Sequence, residues 1–452
     1  MKTKNRPSIP QLGRFLDRVE FVELNRQTLT FLTRELFEEI RTGKINVPTD
    51  EDESESELVK LVLSRLDTLC ADSLVPLINA TGIVLHTNLG RSPIEKSILD
   101  EMQESIGSYC NLEFDIDSGK RGERYGHLTK KLSFLLGCED AIVVNNNAAA
   151  VFLILNTFAT GKETIVSRGE LVEIGGSFRI PDVMSASGTV LKEIGTTNKT
   201  KASDYTAAIT PQTAIMMKVH RSNFSVVGFT HEVEFEELIP LAQSNNLIDY
   251  YDAGSLNLFD APYLGNETCA KSLFEHSPSL VSFSGDKLLG SVQAGIIAGK
   301  KEFIDKIKKN QLLRMLRVDK LTMAVLEKTL TRYIQKGPQA IKTHKLLSKT
   351  IIDMQVQADT ILSHMDHSQK LSIGKTSTYA GGGSLPQHLL ESLALIIQDH
   401  PKNAERLIKA LRANGLIARI EKDRVILDLR SIDDDELTHV TAILNTVLEE
   451  RP

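Results

Sequence analysis

Ser282-Phe283-Ser284-Gly285-Asp286-Lys287-Leu288-Leu289-Gly290 is the stretch on which the fold of this chain turns. The apolar run Leu280 to Phe283 has the length and composition of a buried strand. Ser-Gly-Asp then turns the chain and delivers one lysine into a polar turn with no carboxylate following it. That is where a Schiff-base lysine sits. Asp252, in Ile248-Asp249-Tyr250-Tyr251-Asp252-Ala253-Gly254, closes another apolar run 35 positions earlier (287 − 252), a separation suited to two strand ends on one edge of a sheet. Together they point to a pyridoxal 5′-phosphate enzyme, in which a lysine holds the cofactor aldehyde and an acid keeps its pyridine nitrogen protonated.

Working outward, short apolar runs alternate with longer amphipathic stretches: Ala141 to Val144, Thr164 to Val166, Ala214 to Val219, Leu247 to Tyr251, Leu280 to Phe283 and Gly295 to Ala298. This pattern predicts an α/β fold whose mainly parallel sheet is covered on both faces. Ligands of such sheets bind beyond the carboxyl ends of the strands, where Asn145, Asp252 and Lys287 fall, with Ser284 a further candidate for cofactor binding. Asn145-Asn146-Asn147-Ala148-Ala149-Ala150 follows the first of these strands and opens a helix, so Asn146, Asn147 and Ala148 are candidates for a phosphate cradle. A plain turn with an asparagine N-cap has the same composition. His220, Ser222 and Asn223, at another strand end, fit either contacts to the cofactor or an ordinary turn. Other phosphate motifs fail: Gly374-Lys375-Thr376 lacks the glycine that a P-loop needs five positions earlier, where Gln369 stands.

Arg91, in His86-Thr87-Asn88-Leu89-Gly90-Arg91-Ser92-Pro93, and the pair Arg314 and Arg317 suggest an anion site. Two arginines three apart on one helical face can present their guanidinium forks to a single tetrahedral oxyanion, although salt bridges are the commoner fate of such residues. The apolar neighbours Leu312, Leu313, Met315 and Leu316 predict partial burial.

The chain has 452 residues, with 41% hydrophobic and 25% charged residues, as in a soluble globular protein of two or three domains. No stretch approaches the roughly 20 apolar residues of a membrane span, and the amino terminus has no apolar signal segment, so a cytoplasmic location is expected. Four scattered cysteines, without a CxxC pair, argue against a zinc site or a disulfide framework. The net charge of −6 hides two basic stretches: nine Lys/Arg against six Asp/Glu from Met1 to Val47, and eight against three from Lys300 to Lys320. Leu12, Phe15, Leu16, Val19, Leu29, Leu32, Leu36, Phe37 and Ile40 have helical spacing. With Arg14, Arg18, Arg26, Arg34 and Arg41 between them, they predict a small helical domain with a basic outer face or an ordinary solvated surface. The acidic run Asp50 to Glu57 reads as a linker or an exposed helix start. Beyond Tyr333 a helical pattern, the glycines Gly381 to Gly383, a helix from Asn403 to Asn414 and the strands Leu416 to Glu421 and Arg424 to Leu429 predict a small α+β lobe. The expected division is 1–62 (N-terminal helical domain), 63–90 (linker), 91–332 (cofactor-binding core) and 333–452 (small lobe).

Asn79 to Pro93, Asn145 to Val151, Ser167 to Val183, Val281 to Gly290 and Leu316 to Leu321 closely resemble bacterial L-seryl-tRNA(Sec) selenium transferases, the selenocysteine synthases, and the likeness runs from about residue 9 to the carboxyl end. The resemblance implies a fold-type I pyridoxal phosphate transferase with the cofactor on Lys287. It implies conversion of L-seryl-tRNA(Sec) to L-selenocysteinyl-tRNA(Sec), by loss of the seryl hydroxyl and addition of selenium from selenophosphate at the β-carbon. By the same resemblance Arg91, Arg314 and Arg317 hold selenophosphate, Asp286 acts beside them in catalysis, the N-terminal domain recognises the tRNA, and the subunits form a homodecamer of five dimers. One departure lies near the lysine: Ser291-Val292 stands where the family commonly has Gly-Pro, which removes a stiff turn. Two rivals differ in class. A pyridoxal phosphate lyase or desulfurase acting on a free amino acid would not need the N-terminal domain, and a non-catalytic tRNA-binding protein would not need Lys287, Asp252 and the arginines.

Overall fold

The computed structural model describes residues 9–449 apart from 49, 172, 175–177, 222, 223, 225, 266 and 383. Ser222 and Asn223 therefore lie outside the described residues. The chain divides into two compact units, one ending at Pro76 and the other beginning at Leu77.

In the first unit the helical spacing yields helices Leu12–Leu16, Arg26–Arg41 and Glu51–Cys70. Phe15, Leu29, Leu36, Phe37 and Ile40 pack against Leu58, Val59 and Val62. Val19, expected to face inward, is 82% exposed, because the first helix ends before it. The acidic run is a helix start: Asp50 accepts a hydrogen bond from the Glu53 amide at 3.1 Å, and the acids that follow lie at the positive end of the helix dipole. The expected boundary after residue 62 falls inside this helix. Three of the five arginines are engaged locally, Arg18 with Glu20 and Glu55, Arg26 with Asp17 and Arg41 with Glu38, which reduces the basic face to Arg14 and Arg34.

The second unit is built on a seven-stranded sheet in the order Asp140–Val144, Gly295–Gly299, Leu280–Ser284, Ile248–Gly254, Thr213–Val219, Glu163–Ser167 and Val190–Ile194. Gly295–Gly299 runs antiparallel to both of its neighbours and the other pairings are parallel. Alternation along the strands feeds two cores, one on each face. Ala141, Val143, Val281, Phe283, Ile296 and Ala298 enter one, and Ile142, Val144, Leu280 and Ile297 the other. The six expected strands are all present. Val190–Ile194 was missed, since an edge strand with Val190 53% exposed carries no buried apolar run.

A third core belongs to the small lobe, whose antiparallel sheet runs Leu371–Gly381, Ser384–Ile397, Arg424–Asp428, Arg419–Glu421. Its long first hairpin was not expected; Gly381 and Gly382 stand where the first strand ends. The stretch expected to be a linker is not one. Ile78–Asn79 pairs in parallel with Leu416–Ile417, Ala80 enters the lobe's core, and Leu85 bridges to Gly381. A two-residue strand with a partner that far along the chain leaves no periodic trace in sequence. Likewise the expected boundary between core and lobe, after residue 332, falls within the helix Lys320–Lys336.

Candidate active site

Leu280–Ser284 ends against Gly295, and its last residue, Ser284, is buried. The chain then turns through Gly285, whose amide donates to the Ala294 carbonyl at 2.8 Å, while the Ser291 amide donates back to the Gly285 carbonyl at 2.9 Å. This closed loop presents Asp286 and Lys287, each 7% exposed. Gly290 ends the turn with φ +71°, and a Cβ there would overlap Ile341. Burial pushes the Lys287 ammonium below its ordinary pKa; nearby Arg91 acts in the same sense, while Asp252, Asp286 and Glu267 oppose it.

Asp252, 5% exposed near the end of its strand, accepts from Asn147 Nδ2 at 2.8 Å and from the Gly254 amide at 3.2 Å. Burial raises its carboxyl above the usual range, opposed by Asn147, by the charge of Lys287 and by the Gly254 amide. The three asparagines thus have three different fates. The Asn145 amide donates to the Leu316 carbonyl at 2.9 Å. Asn146 is the N-cap of the helix Asn147–Ala159, its Oδ1 accepting from the Ala149 amide at 2.9 Å. Asn147 orients Asp252, while the backbone N–H groups of Asn147 and Ala148 stand in the first helical turn, where no intrahelical acceptor exists. The neighbouring strand comes so close that a Cβ on Gly295 would collide with the Asn146 carbonyl.

His220 approaches the same place. Its Nδ1 lies 3.3 Å from the Tyr251 hydroxyl, and burial, with Lys218 and Lys287 adding to it, pushes its pKa down to about 4. Asn147 Oδ1, His220 Nε2 and Asp286 Oδ1 are buried without a hydrogen-bond partner among the described residues. Orphaned polar atoms around a buried lysine fit a polar ligand in that position, which is the fit pyridoxal phosphate requires.

Arg91 NH1 meets Asp286 Oδ2 at 2.8 Å. Arg91 has φ 59°, a left-handed conformation that costs a non-glycine residue about 1–2 kcal/mol. It is held there by its own amide on the His86 carbonyl at 3.0 Å, by the Ser92 amide on the Asp286 carbonyl at 3.3 Å, and by the Ser92–Thr343 hydroxyl pair at 2.6 Å. Strain maintained by so many contacts is typical of a functional position.

Arg314 and Arg317 are arranged otherwise than expected. The helix ends at Leu316 and Arg317 is extended, so the two do not share a helical face. They meet instead in the lining of a cleft of about 340 Å³ with Arg121, Arg124, Lys308 and Lys309. Arg317, partly buried as expected, bonds Glu113 at 3.1 Å, while Arg314, expected to be partly buried too, is exposed beside Met315, which is itself 75% exposed. Arg91 does not line this cleft, because Asp286 holds it beside Lys287.

Sequence reasoning missed Glu170. It lies in the Ser167-to-Val183 motif, is 3% exposed, accepts from the Val219 amide at 3.0 Å and has its carboxyl pushed up to about 7, mainly by burial. Only its position directly after a strand hinted at burial.

With this geometry in place, comparison with known proteins is decisive. The SelA family model, L-seryl-tRNA selenium transferase, matches residues 77–433. The chain belongs to the L-seryl-tRNA selenium transferase family. It is 50% identical over 440 residues to the L-seryl-tRNA(Sec) selenium transferase of Wolinella succinogenes, covering 97% of this chain and 98% of that one. It is 49% identical over 444 residues to that of Aliarcobacter butzleri, covering 98% of each. Among solved structures, D-glucosaminate-6-phosphate ammonia-lyase aligns with a TM-score of 0.61 at 18% identity, covering 85% of this selenium transferase family member and 98% of the lyase, a likeness of fold. The expected fold type I is the fold observed.

Proposed function

We propose that the chain converts L-seryl-tRNA(Sec) to L-selenocysteinyl-tRNA(Sec), with selenophosphate as selenium donor and pyridoxal phosphate held on Lys287. The observation that carries this reading is the burial of Lys287 between the Asn147–Asp252 and Arg91–Asp286 pairs, in a chain of this family. The backbone N–H groups of Asn147 and Ala148, with Asn146 and Ser284 beside them, would hold the phosphate, and Asp252 would face the pyridine nitrogen.

When bound, the cofactor supplies an electron sink that weakens the Cα–H bond of the seryl group. Asp252, fixed by Asn147, keeps a proton on the ring nitrogen. Lys287, in which burial favours the free amine over the ammonium, removes the Cα proton and returns it. Asp286, aligned by Arg91, stands next to the leaving hydroxyl. Arg314 and Arg317 bind the donor's oxyanion in their cleft, and Arg91, held on Asp286 beside Lys287, meets the donor where its selenium is delivered. The N-terminal helices take the tRNA, with the exposed Arg14 and Arg34 as phosphate contacts. The enzyme works in the cytoplasm as a homodecamer of five dimers. Among the described residues no helix is long and apolar enough to cross a membrane.

The test supplies selenophosphate with either seryl-tRNA(Sec) or ordinary seryl-tRNA. Selenocysteinyl product from the first alone is the expected result. Equal conversion of both removes tRNA specificity from the reading, and turnover of free serine in its place returns the lyase alternative.

A further inference from the structure

We propose that Thr329, Tyr333 and His344 are positioning residues, clamping the backbone directly after Lys287 so that its amine is delivered at one point of the buried pocket. The proposal rests on the reading of Lys287 as the cofactor lysine, and it also accounts for the Ser291-Val292 departure.

Three hydrogen bonds reach this turn from the segment 329–344. His344 Nε2 lies 2.9 Å from the Leu288 carbonyl, the Tyr333 hydroxyl donates to the Leu289 carbonyl at 2.9 Å, and Ser291 Oγ lies 2.9 Å from Thr329 Oγ1. The partners fix every proton. A carbonyl only accepts, so His344 carries its proton on Nε2, leaving Nδ1 to accept from the Tyr263 hydroxyl at 3.0 Å. Thr329 spends its single proton on the Val325 carbonyl at 2.9 Å, so Ser291 must donate to Thr329. Tyr333 and Thr329 are one helical turn apart on Lys320–Lys336 and both are buried. His344 is 1% exposed, its ring edge-on to both Tyr263 and Tyr333. Thr329 bonds Val325 and Ser291, Tyr333 bonds Leu289, and His344 bonds Leu288 and Tyr263. What they hold at the Lys287 turn is its backbone and Ser291, and that makes them positioning residues rather than catalytic ones.

A Gly-Pro turn is stiff because proline fixes its own φ and restricts the residue before it. Ser291-Val292 has no such restraint. The buried Ser291 hydroxyl, 1% exposed with its residue, restores it by tying the turn to a helix.

Thr329→Val and Tyr333→Phe each delete one hydroxyl and preserve packing volume. Two measurements read the result. In the cofactor-free protein, hydrogen exchange of the segment 285–292 should rise about tenfold. In the loaded enzyme, the pH midpoint of the visible absorbance of lysine-bound cofactor should move by about one unit, and kcat should fall roughly tenfold with KM for seryl-tRNA nearly unchanged. Adding Ser291→Gly with Val292→Pro to Thr329→Val should return the midpoint to that of the parent. Unchanged exchange, midpoint and kcat in both variants, with only a lower melting temperature, would overturn the clamp and leave these bonds purely structural. If Thr329→Val does not fold, Ser291→Ala tests the same bond. Absence from the parent enzyme of an absorbance that depends on Lys287 overturns the cofactor reading itself, a result distinct from failure of the clamp.

Discussion

The turn that carries Lys287 and the cleft lined by Arg314 and Arg317 both concentrate charge, and they do so in opposite surroundings. Around Lys287 the carboxylates of Asp252 and Asp286 are buried and held in short pairs with Asn147 and Arg91, and burial shifts the protonation of Lys287 and Asp252. In the cleft Arg314 is exposed and Arg317, partly exposed, shares Glu113 with the exposed Arg121 and the more covered Arg124. A dry pocket fixes the protonation state of a nucleophile and a wet one captures a charged donor that must enter and leave. The two demands are incompatible in one environment, since burial strengthens electrostatics and also penalises the free ion.

The comparison can be broken most severely at Lys287. Lys287→Ala should lose the visible absorbance of lysine-bound cofactor and reduce turnover by ~10³-fold or more; retained absorbance would show that another residue holds the cofactor. Next comes the protonation of the dry side. His344, with its pKa pushed down to about 4 by burial, stays neutral while an unfolded-state histidine takes up a proton near its ordinary pKa. The unfolded state therefore binds more protons across that window, and stability, complete above it, falls by about 3 kcal/mol as the pH drops through it. Urea unfolding of the parent and of His344→Gln on both sides of the window should show a slope that the substitution flattens. Arg91→Ala should then cost about 2–3 kcal/mol in urea unfolding, because Asp286 loses its partner inside the protein. The smallest effects belong to the wet side. Arg314→Ala and Arg317→Ala should each raise the KM for selenophosphate about tenfold with cofactor retained. High salt should imitate them in the parent enzyme, since exposed charges are screened. Loss of cofactor from either variant would show that the cleft and the pocket are one site.

The core strands were legible because each is a nearly continuous apolar run, and Asp252 and Lys287 because they interrupt such runs at their ends. The asparagine cluster was legible as a helix start, but which asparagine would cap and which would turn toward Asp252 was not. The helical face proposed for Arg314 and Arg317 failed because a four-residue helix ends between them, and nothing local announces that end. The hairpin of the small lobe was missed because its strands mix polar and apolar residues, as an antiparallel sheet with a solvent face does.

By itself the sequence determined the α/β class, the strand ends and the lysine, since these follow from periodicity and from the few residue types able to do the chemistry. Tertiary structure alone decided which charges pair. Arg91 reaches Asp286, Asn147 reaches Asp252 and Ser291 reaches Thr329 across long stretches of chain, and such contacts exist only after the sheet has brought its strand ends together.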